Sequence, residues 1–105
     1  MFPEKKLEAR LGEILDELDG LAGVCEGSAA EALEDLNAEL EDALLLLSEL
    51  KPTDDDWREE CAGALETVLA LAEDYRALAK DVPDIVEPIQ SLEAAANTAL
   101  GALAP

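Results

Sequence analysis

The side chains that could do chemistry in this chain are carboxylates and two thiols. It has 26 aspartates and glutamates, Cys25 and Cys61, and no histidine. Histidine is the commonest general base and metal ligand, and its absence also removes the Glu-x-x-His half of a di-iron bundle site. With this many acids on helices, some carboxylates lie close together by chance. A close pair is therefore no evidence for a catalytic acid–base dyad. We therefore expect a protein that is not an enzyme, with no catalytic residue, no cofactor and no metal.

Three consecutive aspartates, Asp54 to Asp56, could suggest a metal site. They lack the D-x-[DN]-x-[DN]-G-x5-E pattern of a calcium loop. Thr53 precedes them, and acidic residues beside an N-cap stabilise the positive end of a helix dipole. The run therefore predicts the start of a helix rather than a metal site.

The two cysteines have no neighbouring base that would indicate an activated thiolate. The chain also lacks the G-x-S-x-G, G-x-x-x-x-G-K-[ST], G-x-G-x-x-G and C-x-x-C motifs. Both cysteines fall on apolar heptad positions, as small buried side chains in a reducing compartment do. Placed at different heights of a bundle, they would lie more than about 7 Å apart, too far for a disulfide. With no secretion signal and no apolar run of membrane-spanning length, we expect a cytoplasmic protein.

The elements that carry these residues are four predicted helices. Between Ala29 and Leu50, apolar residues follow one another at alternating steps of four and three, the a/d pattern of a helix in a bundle. Three other segments repeat it, which predicts helices over residues 3–24, 29–50, 54–80 and 85–103. The predicted fold is all-α: one domain, 1–105, forming a four-helix up-and-down antiparallel bundle that is either monomeric or dimeric.

Two capping boxes are predicted at helix starts. Gly27 tolerates a positive φ, and Ser28 with Glu31 would cap the second helix. Asp84 with Glu87 would cap the fourth helix in the same way, although Pro88 in the first turn could move the helix start a few residues later.

Glycines weaken the predicted first helix. Gly12, Gly20 and Gly23 each cost about 1 kcal/mol relative to alanine. They predict either a last turn that frays after Asp19 or a close approach by a neighbouring backbone.

The aromatic residues Trp57 and Tyr75 both fall on the apolar stripe of the third helix. Each has a polar hydrogen that needs a partner. We therefore expect both at ends or edges of the bundle, with their polar groups near water.

The formal net charge of −19 far exceeds the magnitude of about 2 to 8 that solubility asks of a small domain. Direct binding to nucleic acid or to an anionic membrane is disfavoured, because both need clustered lysine and arginine. Acidic pairs four residues apart on one helix each cost about 0.2 to 0.5 kcal/mol. Besides a merely solvated surface, a basic protein partner, mimicry of DNA or a high-salt cytoplasm could maintain this charge.

Two features interrupt the acidic surface. Between Ile89 and Pro105 the only charged residue is Glu93, so the outer face of the fourth helix is small and nearly neutral. That composition is typical of a face that lies against another subunit, although it also fits a poorly packed terminal helix. Leu45 and Leu69 point away from the predicted core and could form an apolar patch. The candidate interaction surface is therefore Leu45, Leu69, Gln90, Ala94, Asn97, Thr98 and Gly101.

The predicted function is a non-enzymatic protein–protein interaction module, an adaptor or chaperone-like binder. Its expected partner is another protein or a second copy of the chain, and no small-molecule substrate is expected. The alternatives are a DNA-mimic inhibitor of a nucleic-acid-binding protein and an acidic surface that reflects only adaptation to high salt.

Overall fold

A computed structural model describes residues 4–50 and 55–103, with the side chains of the first helix described from Lys6 onward. The described residues form four α-helices and one short 3-10 helix, without any strand. The α-helices are α1 (Glu4–Val24), α2 (Gly27–Glu49), α3 (Trp57–Ala77) and α4 (Val86–Leu103), and the 3-10 turn is Pro83–Ile85. The predicted all-α class is confirmed.

The helices form an up-and-down four-helix bundle. Each helix packs against its neighbours along the chain, and α1 packs against α4. The pairs α1/α3 and α2/α4 are therefore diagonal. The bundle measures 44 × 20 × 19 Å, one helix long and two helices wide. Arg58 Nη1, near the start of α3, donates to the carbonyl oxygen of Leu103 at the end of α4 (3.2 Å), as antiparallel neighbours require.

The core consists mainly of leucine, isoleucine, valine and alanine side chains from all four helices. Most predicted stripe positions are buried, including Leu33, Leu40 and Leu47 on α2. Cys61 is buried and Cys25 is half-buried, and both are thiols. No helix in the described ranges is both long enough and apolar enough to cross a membrane.

The start of α2 differs from the prediction. Gly27 has the expected positive φ, 73°, but it is itself the first residue of the helix. The residue before it, Glu26, is extended and its side chain makes no capping hydrogen bond. Ser28 therefore lies inside the first turn, and the predicted capping box with Glu31 is wrong. The glycine turns the chain into the helix without a side-chain cap.

The capping box at the fourth helix is also wrong. Asp84 lies within the 3-10 turn that Pro83 begins, and α4 starts only at Val86. Proline suits the first position of such a turn, because its missing N–H would have no partner there. No side-chain hydrogen bond caps this turn.

The ends of α3 lie inside the predicted range of 54–80. The helix begins after Asp56, which makes no side-chain capping bond, and ends at Ala77 in a series of turns. Residues 1–3 and 51–54 lie outside the described ranges. The predicted cap at Thr53, the first of the three aspartates and the predicted start at residue 3 fall there.

The first helix is continuous to Val24, so the prediction that it frays after Asp19 is wrong. A Cβ built at Gly12, Gly20 or Gly23 would meet no atom within 4 Å, so the predicted close backbone approach is wrong as well. Burial of apolar side chains on the core side of the last turns stabilises them despite the glycines.

Candidate functional site

An open groove runs between α1 and α4, with a volume of about 610 Å³. From α4 it is lined mainly by small side chains, including Ala94, Ala95 and Thr98. From α1 it is lined by Lys6 and Arg10, two of the seven basic residues of the chain. Small neutral side chains leave the helix surface low, so another protein could approach the α4 backbone closely here.

A second groove, of about 570 Å³, lies farther along the same two helices. It is lined by the acids Glu17, Asp84 and Glu87 and by apolar residues that include Val24. Ser91 lines both grooves, so they form one continuous surface. We call this surface the α1–α4 face.

The α1–α4 face has two ends of opposite charge. The basic end carries Lys6 and Arg10, beside the C-terminal half of α4. The acidic end carries Glu17, Asp84 and Glu87, beside the C-terminal half of α1.

An exposed apolar side chain lies at the acidic end. Val24 is 77% exposed, more than any other large hydrophobic residue of the described chain. It ends α1 and lines the groove there. The α1–α4 face therefore combines a neutral middle, two charged ends and an apolar contact point.

The predicted interaction residues on α4 divide into two groups. Gln90, Ala94 and Thr98 line the groove. Asn97 and Gly101 are exposed on α4 but are not among the residues that line the groove. The structure therefore brings three of the five predicted α4 residues to one surface.

The two predicted leucines lie elsewhere. Leu45 is 54% exposed, as its outward position predicted, but it is on α2, the helix diagonal to α4. Leu69 on α3 is half-buried and packs against the core. Because α2 is diagonal to α4, the structure does not bring Leu45 to the α4 residues, so the candidate surface is not one continuous patch.

Sequence reasoning missed the contribution of α1. Lys6, Arg10, Glu13, Glu17 and Val24 all occupy c or g heptad positions on one side of that helix, and the charge changes sign after Arg10. Reading charge along that one side, rather than over the whole helix, would have shown the pattern.

The one charged residue of α4 between Ile89 and Leu103 does not face this surface. Glu93 lies on the α3 side of α4, where its Oε1 accepts a hydrogen bond from Arg76 Nε at 3.0 Å and another from Nη2. This hydrogen bonding and the nearby carboxylate charge raise the pKa of Arg76. The ion pair leaves the α1 side of α4 without charge from Ile89 to Leu103.

A polar chain of hydrogen bonds crosses the bundle core. The fully buried Tyr75 on α3 donates its hydroxyl hydrogen to Asn37 Oδ1 on α2 (2.7 Å). Asn37 is 4% exposed, and its Nδ2 donates to Asp19 Oδ1 on α1 at 3.2 Å. Burial, with the nearby charges of Asp19 and Glu39, raises the pKa of Tyr75.

The expectation that Tyr75 keeps its hydroxyl near water is therefore wrong, because Asn37 supplies the acceptor inside the core. Asn37 was not predicted to be buried, since it lies on the flank of the α2 stripe. Trp57 is buried at the start of α3, at one end of the bundle as predicted. The buried polar groups of this network find their hydrogen-bond partners within it, as expected of a network with a structural role.

The outer surface of α2 is strongly acidic. This helix has seven acidic residues and no basic one, and all seven are exposed. Across residues 4–50 and 55–103, no three acidic or cysteine side chains are arranged to hold a metal ion.

The chain matches no family model, no curated protein and no solved structure.

Proposed function

We propose that this is a non-enzymatic cytoplasmic interaction module whose α1–α4 face binds another protein surface. The observation that supports this is the composition of that face. In a chain of net charge −19, it combines small neutral side chains with the basic residues Lys6 and Arg10. The acidic surface is interrupted along the groove that these residues line.

The physical reason is the cost of bringing a partner to so acidic a protein. The centres of protein interfaces are depleted of charged residues, because desolvating an unpaired charge is costly. Ala94, Ala95 and Thr98 add no charge and little bulk to the middle of the face. A partner that docks there keeps the exposed carboxylates of α2 on the far side of the bundle.

The exposed leucines of α2 support docking less well. Leu45 and Leu46 are 54% and 45% exposed, but they lie on the helix with seven acids and no base. Isolated exposed leucines are common on protein surfaces. They therefore serve as the comparison surface in the test.

The test is to place one negative charge on each surface and to measure binding. Glutamate is a good helix former, so neither Ala94→Glu nor Leu45→Glu should reduce helicity. Ala94→Glu should abolish self-association in light scattering and retention of protein partners in affinity capture. Leu45→Glu should leave both unchanged. The proposal fails if Ala94→Glu binds like the wild type, or if only Leu45→Glu loses binding.

A DNA-mimic inhibitor is a second candidate, favoured by the seven exposed acids of α2 without a base. Such a protein would occupy a basic nucleic-acid-binding groove, and salt would release it steeply. This candidate would be favoured if the protein captures DNA-binding proteins and releases them in moderate salt. A Glu34→Lys, Glu41→Lys variant should then fail to capture them. Capture that tolerates salt and depends on Ala94 would exclude it.

A further inference from the structure

We infer that the α1–α4 face binds a second copy of this chain in an antiparallel, two-fold symmetric arrangement. This inference rests on the proposed function and names the partner of that same face. In the dimer, the basic end of each subunit meets the acidic end of the other.

Charge is distributed unevenly along the α1–α4 face. Lys6 and Arg10 line one groove, and Glu17, Asp84 and Glu87 line the other. Because α1 and α4 are antiparallel, the basic residues near the start of α1 lie beside the end of α4. The acids that line the face, Glu17, Asp84 and Glu87, lie at the opposite end. The face is therefore complementary to itself after a rotation of half a turn.

Two identical chains most often associate about a two-fold axis, so that the same patch is used by both. An axis along the helices would place like ends together, Lys6 and Arg10 on their own copies. The other possible axis also lies in the plane of the face but runs perpendicular to the helices, near Ser91. It places each basic end on an acidic end. Charge complementarity selects the second arrangement and fixes its register.

Small side chains lie between the two charged ends of the face. Near the axis the face presents Ser91, Ala94 and Ala95, which allow the two α4 helices to approach closely. At the acidic end, the exposed Val24 would cover apolar surface beside Ala102 of the second copy. This would remove from water the most exposed large hydrophobic side chain of the described chain.

The basic residues are available for such contacts. Arg10 contacts Glu13, with Arg10 Nη1 at 4.0 Å from Glu13 Oε2 and both side chains more than half exposed. Exposed pairs at that limit contribute almost nothing to stability. A carboxylate of a second chain would therefore replace a weak contact.

The experiment reverses the charge at each end separately and then at both ends together. The first variant is Lys6→Glu, Arg10→Glu, and the second is Glu17→Lys, Glu87→Lys. The third combines all four changes and keeps the net charge of the wild type. Dissociation constants are measured by sedimentation at about 0.15 M salt, where the Debye length is about 8 Å.

Each single-end variant should dimerise at least about tenfold more weakly than the wild type, because like charges then oppose each other at both contacts. The combined variant should recover the wild-type dissociation constant. An equimolar mixture of the two single-end variants should form a heterodimer, since one chain is then acidic and the other basic at both ends.

The second variant separates the proposed register from general repulsion. It makes the chain four charge units less negative, so a dimer limited only by overall repulsion would become tighter. The matched control, Glu34→Lys, Glu41→Lys on α2, changes the net charge equally and should not weaken the dimer. Circular dichroism of every variant establishes that it has folded.

Three results would overturn the inference: a wild type that stays monomeric, a second variant that dimerises as well as the control, or a combined variant that stays weak. A monomeric wild type that still captures a protein through Ala94 would leave the proposed function standing and reject only the second copy as partner.

Discussion

At the scale of single residues, Asn37 links three helices through the Tyr75 hydroxyl and the Asp19 carboxylate. It is the buried polar residue of the described core. A buried hydrogen-bonding group is costly when it loses its partner, whereas replacing both partners by apolar groups can be nearly neutral. The contributions of Asn37 and Tyr75 to stability should therefore be strongly coupled.

A double-mutant cycle measures that coupling. Asn37→Leu leaves the tyrosine hydroxyl without an acceptor, and Tyr75→Phe leaves the amide without a donor. Each change should lower the free energy of unfolding by about 1 to 3 kcal/mol. The double variant should lose clearly less than the sum of the two losses in urea unfolding followed by circular dichroism. Strictly additive losses would show that the two side chains do not interact.

The raised pKa of Tyr75 makes stability depend on alkaline pH. The unfolded phenol ionises near pH 10, while the native one stays protonated at higher pH. Its contribution is therefore complete below about pH 10 and decreases above it, because only the unfolded state releases the proton. The difference in unfolding free energy between the wild type and Tyr75→Phe should shrink above about pH 10. Lysine titration is common to both proteins and cancels, so a constant difference would contradict this assignment.

At the scale of the helices, the apolar stripes were predictable because burial follows directly from hydrophobic period. Leu33, Leu40 and Leu47 lie at the core for that reason. The helix starts were not predictable from the sequence. Ser28 and Asp84 match a capping pattern, but the backbone at Gly27 and Pro83 starts each helix without a side-chain cap. Asn37 was missed because a polar residue on the flank of a stripe is ordinarily exposed.

Two glycines should respond oppositely to alanine substitution. Gly63 is exposed inside α3, and a Cβ there would meet nothing within 4 Å. Gly63→Ala should raise the free energy of unfolding by about 0.5 to 1 kcal/mol through helix propensity. Gly27→Ala should lower it by about 1 to 2 kcal/mol, because its φ of 73° is unfavourable for a residue with a Cβ. Thermal or urea unfolding of the two variants checks both signs, and a loss of stability in Gly63→Ala would contradict the open surroundings of that glycine.

The candidate site was predictable on α4 and not on α1. The scarcity of charge after Ile89 is visible in the sequence, and Gln90, Ala94 and Thr98 line the groove. Leu45 was grouped with them although α2 and α4 are diagonal in this bundle. Linear sequence shows which residues are exposed on each helix, but packing decides which exposed residues share a surface.

At the scale of the whole molecule, the 26 acidic side chains repel one another, because only seven basic side chains offset their charge. Raising salt from about 0.01 M to about 1 M shortens the Debye length from about 30 Å to about 3 Å. The melting temperature should therefore rise with salt. The Glu34→Lys, Glu41→Lys variant should show a shallower rise, because it starts with less repulsion. A melting temperature that is independent of salt would show that the acidic surface does not limit stability, and a chain that folds only in molar salt would favour environmental adaptation.

The central claim is that the α1–α4 face is the contact surface of this protein, with a second copy as the partner. Sedimentation equilibrium over increasing protein concentration tests it most directly, comparing the wild type with Ala94→Glu and Leu45→Glu. The wild type and Leu45→Glu should reach twice the chain mass of 11.1 kDa, while Ala94→Glu should remain a monomer. The same monomer mass for all three proteins would contradict this claim.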